Sequence, residues 1–140
     1  MTLNRHGKRP AHTLKMPIFV VHEHYAQRLH WDFRLEMENV LKSWALPKKP
    51  PRKAGIKRLA IRVEDHELDY ASFEGEIGEG EYGAGRVRIW DRGEYKMLNY
   101  DNKHLKFELF GHLLNKIYVL YKYPEAGENA WLFFKIKAHE

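Results

Sequence analysis

The chain has 140 residues, 44% of them hydrophobic, with a net charge of +5 and a pI near 9.3. That content suits one compact domain with a real core, and the length leaves little room for a second. Cysteine is absent, which excludes disulfides, thiolate metal sites and cysteine nucleophiles, so any metal must sit on His, Asp or Glu. No apolar run approaches the length of a membrane span, and residues 1–17 lack the apolar segment of a signal peptide, so a cytoplasmic protein without a membrane partner is expected. Much of the positive charge lies in the N-terminal stretch and between Lys42 and Arg62, which suits a polyanionic partner.

Residues 1–17 are basic and show no usable period, and read as a flexible or draped arm ahead of a single domain over 18–140. Ile18–His24 reads as a strand, Tyr25–Leu29 as a reversal and His30–Met37 as a second strand. Glu38 and Asn39 mark a turn, and Val40–Leu46 resumes an apolar strand. Pro47–Gly55, PKKPPRKAG, is a loop whose prolines prevent continuous ladder pairing, and Lys48, Lys49, Arg52 and Lys53 are placed there to face a phosphate backbone. Arg58–Tyr70 alternates, with Leu59, Ile61 and Val63 on one face and Arg58, Arg62, Glu64 and His66 on the other.

The glycine-rich stretch Gly75–Gly85 contains the spacing of a dinucleotide fingerprint at Gly78, Gly80 and Gly83. That fingerprint must open a helix, whereas Arg86–Trp90 alternates like a strand, and Glu76, Glu79 and Glu81 would repel pyrophosphate. The glycines are assigned to turns instead. Short apolar runs follow at Arg86–Trp90, Tyr95–Met97, Lys103–Leu109, Ile117–Tyr123 and Trp131–Lys137, punctuated by Asp91-Arg-Gly93, Asp101-Asn102, Gly111 and Glu125-Ala-Gly127. Many short strands without a helical stripe predict a mainly β domain, a sandwich or a barrel.

The densest chemistry is in Phe19–Glu36, FVVHEHYAQRLHWDFRLE. On a strand His30, Asp32 and Arg34 share one side, with Trp31, Phe33 and Leu35 on the other. A strand sets His30 and Asp32 side by side, roughly 6–7 Å apart, close enough to share an ion. Six residues of straight strand would carry His24 roughly 20 Å from His30, so it can join them only if the chain reverses within Tyr25–Leu29.

The string H-x5-H-x-D-x-R, followed by LKSWALPK, FEGEIGEGEYGAGRVRIWDRGEY, F-E-L-F-G and W-L-F-F-K, resembles the 3′-phosphoesterase module of DNA ligase D and its free-standing relatives from about Phe19 to Lys135. The resemblance implies a small single-domain β-barrel with minor short helices. It also implies a metal-dependent enzyme that removes a 3′-terminal ribonucleoside and then the 3′-phosphate from DNA or RNA–DNA primer 3′ ends. A 3′-OH would remain for a ligase or polymerase acting in trans. His24, His30 and Asp32 match the family's metal ligands, with manganese the implied ion and other divalent transition metals chemically suitable. Arg34 is placed to clamp phosphate oxygens, and His66 matches the family's phosphate-contacting histidine. Lys48, Arg58, Glu64 and Tyr70 also fall on matching positions. His22 lies where some relatives carry glutamine, as a neighbour of the ligands or a competitor for the metal, and the N-terminal arm matches poorly.

Two other readings compete. His30-x-Asp32 with a distant His66 or His112, and an arginine such as Arg86 for an oxo-acid, would make the facial triad of an iron oxygenase. A non-catalytic barrel could instead bind nucleic acid by stacking on Tyr82, Trp90 and Tyr95.

Overall fold

The computed structural model describes residues 16–81 and 84–138, so the expected arm lies almost wholly outside the described residues. The alternating segments form nine strands: β1 (Ile18–Tyr25), β2 (Leu29–Met37), β3 (Val40–Leu46), β4 (Lys57–His66), β5 (Gly75–Ile77), β6 (Gly85–Tyr100), β7 (His104–Gly111), β8 (Asn115–Lys122) and β9 (Ala130–Lys135). Eight of them run antiparallel in the order β1-β2-β3-β4-β9-β8-β7-β6, and β6 returns to β1 to close a barrel. Closure leaves no long unpaired edge. The short β5 adds to the other side of β6 at Gly85–Val87.

The expected reversal is a three-residue loop, Ala26–Arg28, between the paired Tyr25 and Leu29. The β2–β3 turn places Glu38 and Asn39 both at positive φ, the geometry of a two-residue hairpin and one that asparagine tolerates well.

Inward-facing residues make the core: Phe19 and Val21 from β1, Trp31, Phe33 and Leu35 from β2, and aromatic and leucine side chains from β6 to β9. Phe33 is central, with ring centroids 4.7 Å from Phe133, 5.8 Å from Phe107 and 6.0 Å from Phe19. Truncating such a ring to alanine costs about 3–5 kcal/mol. The 47–56 loop packs over the end of the barrel that carries the Ala26–Arg28 turn: Pro50 and Pro51 are buried, and Tyr118 Oη donates to Pro51 O at 2.7 Å.

Two elements differ from the expectation. Asp91-Arg-Gly93 is not a turn but the middle of the sixteen-residue β6. The Asp91 carboxylate accepts instead from the backbone N–H groups of His112, Leu113 and Leu114, and a Cβ at Gly93 would lie 2.2 Å from Phe110 O. Glycine is there for close backbone approach within a ladder.

The second difference is in β4, whose inward residue is Ala60, with Arg62 packed over the Trp44 ring, while Leu59, Ile61 and Val63 lie on the outward face. A bulge between the Ser43↔Val63 and Leu41↔His66 pairs then brings His66 onto the same side as Val63. The strand ends at His66, and Tyr70 follows on a 3₁₀ turn, Leu68–Ser72.

Candidate functional site

An outward barrel face normally meets water, but the outer face of β1 to β4 is walled by Tyr70, Phe73, Ile77 and Ala84, so most of its polar residues are buried rather than solvated. His22 and His24 of β1, His30, Asp32 and Arg34 of β2, Ser43 of β3 and His66 of β4 all project there. A cavity of about 750 Å³ is lined by His24, His30, Asp32, Arg34, His66 and Tyr70, with the 26–28 turn at one end.

Cross-strand pairing of His24 with His30 sets the first half of the site. One ligand atom from each of His24, His30 and Asp32 lies within 4.8 Å of the others. Asp32 Oδ2 is 3.5 Å from His24 Nδ1 and 3.3 Å from His30 Nε2. The remaining ring nitrogens face backbone carbonyls: His24 Nε2 is 3.2 Å from Ala84 O and His30 Nδ1 is 3.2 Å from Arg28 O. A carbonyl only accepts, so each of those nitrogens carries a proton, and His24 Nδ1 and His30 Nε2, turned toward the carboxylate, either donate to it when protonated or offer lone pairs to an ion shared with it. Three acceptors converging on one point need a cation or protons between them. Outer N–H groups anchored on carbonyls are the support that metal-bound imidazoles ordinarily have, and two imidazoles plus a carboxylate suit a divalent transition metal.

The local electrostatics agree. Burial alone would raise the Asp32 carboxyl, but hydrogen bonds from His24 and His30 and the Arg34 charge hold it well below the usual range. Burial alone would lower His30, yet its hydrogen bond to Asp32 and that residue's charge leave it raised.

Arg34 organises the second half and is only 2% exposed. Its Nε donates to His22 Nδ1 at 3.0 Å, Nη1 to Ser43 Oγ at 2.9 Å, and Nη2 to Asp32 Oδ2 at 3.3 Å. Nη1 also lies 3.2 Å from His66 Nδ1, and the guanidinium stands 5.0 Å from the Tyr70 ring centroid. His66 Nδ1 thus lies between a donor, Arg34 Nη1, and an acceptor, Glu64 O, each at 3.2 Å. Burial and the Arg34 charge lower His66, keeping it neutral, and burial raises the Tyr70 phenol. The His66 and Tyr70 rings sit 4.6 Å apart, and Tyr70 stacks on Phe73 at 5.1 Å.

His22 has both ring nitrogens committed, Nδ1 to Arg34 and Nε2 to Phe73 O at 3.1 Å. Fully buried beside a guanidinium, it is pushed down to about 3 and stays neutral. It therefore holds Arg34 in place and lies outside the candidate ligand group. Ser43, absent from the sequence reading, does similar work, accepting from Arg34 while donating to Leu41 O at 3.1 Å. Its one signal was a hydroxyl between Lys42 and Trp44 in a largely apolar strand.

The other expected residues lie apart from this cavity. Glu64 is exposed, and only its carbonyl approaches His66. Lys48 and Arg52 are exposed on the end loop, and Arg58 Nε donates to Lys49 O at 2.9 Å. His112 lines a different cavity, and the third member of the ligand group is His24 rather than His66 or His112. Tyr95 is buried with its hydroxyl donating to Glu36 O at 2.7 Å, so it offers no stacking surface, and Tyr82 lies outside the described residues.

Residues 22–122, which contain both halves of the site, match the family model for the DNA Ligase D 3′-phosphoesterase domain. The chain belongs to that family. It is 45% identical over 128 residues to the multifunctional non-homologous end joining protein LigD of Pseudomonas aeruginosa, an alignment covering 87% of this chain and 15% of that protein. It is 58% identical over 77 residues to the multifunctional non-homologous end joining DNA repair protein LigD of Mycobacterium tuberculosis, covering 55% of this chain and 10% of that protein. With the LigD of Mycolicibacterium smegmatis it shares 51% over 78 residues, covering 56% and 10%. The chain thus aligns with only a small part of these relatives' length. Among the described residues no helix is long and apolar enough to cross a membrane.

Proposed function

We propose that this 3′-phosphoesterase family member is a metal-dependent 3′-end-healing hydrolase. It removes a 3′-terminal ribonucleoside to leave a 3′-phosphate, and then hydrolyses that phosphate to a 3′-OH that a ligase or polymerase in non-homologous end joining can use. The observation that carries this reading is the convergence of His24 Nδ1, His30 Nε2 and Asp32 Oδ2 beside the guanidinium of Arg34 in one cavity.

His24, His30 and Asp32 would hold the ion, with manganese the choice that the family likeness favours. When bound, the ion supplies Lewis-acid polarisation of a phosphoryl oxygen and acidifies a water for attack. Everything else falls to the chain. Arg34, clamped by His22 and Ser43, keeps a fixed positive charge where charge develops on the phosphoryl oxygens, without reorganisation during the reaction. His66, held between Arg34 and the Glu64 carbonyl, donates through a ring N–H to a phosphate oxygen or protonates the departing ribose oxygen. Tyr70 packs against both and narrows the cavity. Lys48, Lys49, Arg52 and Lys53 stand on the loop at the same barrel end as the 26–28 turn, where they hold the flanking strand by charge.

The test is a labelled primer-template ending in one ribonucleotide or a 3′-phosphate, incubated with manganese, with other divalent ions and with chelator. Conversion to a 3′-OH in metal, abolished by chelator and by Asp32→Asn, is expected. Undiminished turnover in chelator, or none with any divalent ion, overturns the proposal.

A further inference from the structure

Around the edge of the β1–β2 hairpin from the metal ligands is a second open notch of about 480 Å³, lined by Tyr25, Arg86 and Arg88. We propose that it is a nucleotide subsite for the strand entering the cavity, with a base stacked on the Tyr25 ring and phosphates held by the two guanidinium groups. This rests on the phosphoesterase reading, since it assigns where that substrate's neighbouring nucleotide lies.

The notch is built from one buried carboxylate. Glu23, at the mouth of the barrel, accepts from Tyr25 Oη at 2.9 Å and Arg88 Nε at 2.6 Å through Oε1, and from Trp31 Nε1 at 3.2 Å through Oε2. Both the phenol ring and the guanidinium are thereby held in place, yet both keep their contact surfaces in water: Tyr25 is 44% exposed and the Arg88 side chain 59%. A large aromatic ring held rigid at a wet surface adds little to folding, and it is what a base-stacking platform requires. Arg88 meets Glu23 through Nε, which directs its terminal nitrogens away from the anchor.

Arg86 lies two residues earlier on the same face of β6, roughly 6–7 Å from Arg88, so each can hold a separate phosphate. It is exposed and has no hydrogen bond among the described residues. Glu76 is its cross-strand partner on β5, but the two form no ion pair among the described residues.

Continuity with the metal cavity completes the argument. Tyr25 sits between His24 and Ala26, both of which line the cavity, and is cross-strand from Arg86 just as His24 is from Val87. A strand whose 3′ end is at His24 therefore meets Tyr25 within one nucleotide, with Arg28 of the turn beside its path.

The experiment uses the full chain and single-stranded DNA bearing a 3′-phosphate, as a dinucleotide and as progressively longer strands. Binding is read by fluorescence anisotropy and turnover by phosphate release in manganese, with folding checked by thermal melts. Tyr25→Leu and Arg86→Gln should weaken binding of the longer strands roughly tenfold or more, and raise KM far more on them than on the dinucleotide. Tyr25→Phe, which keeps the ring, should retain most of the affinity. Equal losses on short and long strands, or wild-type affinity in Tyr25→Leu, overturn the subsite. Were the wild-type chain inert toward every 3′-phosphate, a length-dependent loss in Tyr25→Leu would still support the subsite while the phosphoesterase reading fell. Turnover without any length-dependent loss would do the reverse.

Discussion

Replacing Arg34 by alanine tests whether its guanidinium is structural cement as well as chemistry. The residue is 2% exposed and Asp32 beside it 5%, so the substitution strands a buried carboxylate and leaves His22 Nδ1 and Ser43 Oγ without their donor. Removing one partner of such a pair costs about 3–5 kcal/mol. For a chain of 140 residues each kcal/mol moves Tm by about 3 °C, so a fall of roughly 10–15 °C is expected in chelator. In manganese the fall should be smaller, because a bound cation offsets the stranded Asp32 charge. Turnover on a 3′-phosphorylated primer, measured well below the variant's Tm, should drop by orders of magnitude at saturating substrate. Arg34→Lys should recover only part of either loss, since an ammonium supplies charge without a fork that can reach His22 and Ser43 together. Melting curves in chelator and in metal, with single-turnover rates alongside, decide the matter. A Tm within about 3 °C of wild type in chelator would refute the structural half of the reasoning, and full turnover at saturating substrate the chemical half.

His22→Gln should keep most activity, because an amide can both accept from Arg34 Nε and donate to Phe73 O; His22→Leu, which does neither, should lower kcat more than it raises KM, as steady-state kinetics will report. Gly85→Ala places a Cβ 2.2 Å from Tyr25 O at φ +124°, and should cost more than about 2 kcal/mol in a denaturant titration while weakening metal binding through the displaced Ala84 carbonyl. Strand binding should fall steeply with salt and show little sequence preference, since the exposed cations sit on loops and strand edges and no base-reading helix is present among the described residues; a flat salt response in anisotropy titrations would contradict this.

The convergence of His24, His30 and Asp32 was legible because it is short-range. Once Phe19–Leu35 alternates, parity places His30 and Asp32 together, and only a reversal brings in His24; the hairpin supplies it. Arg34 was legible as a member of that face but not as a buried one, because the wall over it carries no periodic signal. Tyr70 reaches the cavity from a 3₁₀ turn and His66 through a bulge, and neither device follows from alternation. The carbonyls of Arg28, Phe73 and Ala84, which set the histidine tautomers, are main-chain atoms that no residue type advertises. Asp91-Arg-Gly93 looked like a turn because its aspartate and glycine serve contacts with the β7–β8 region, which sequence pattern does not record.

The seam where β6 meets β1 ties the proposed metal centre to the topology of the chain. His24, His30 and Asp32 lie within nine residues and can come together as soon as one hairpin forms, whereas the Ala84 carbonyl that orients His24 arrives only when β6 docks from sixty residues away. Loop closure over that distance is an entropic cost that the hairpin alone never meets. An ion on that hairpin, as proposed, would therefore be held most firmly in the closed barrel, and by mass action it would favour closure in return. Occupancy of the proposed centre and integrity of the cylinder would then be one equilibrium, and hydrogen exchange along the β1–β6 seam should slow when manganese is supplied.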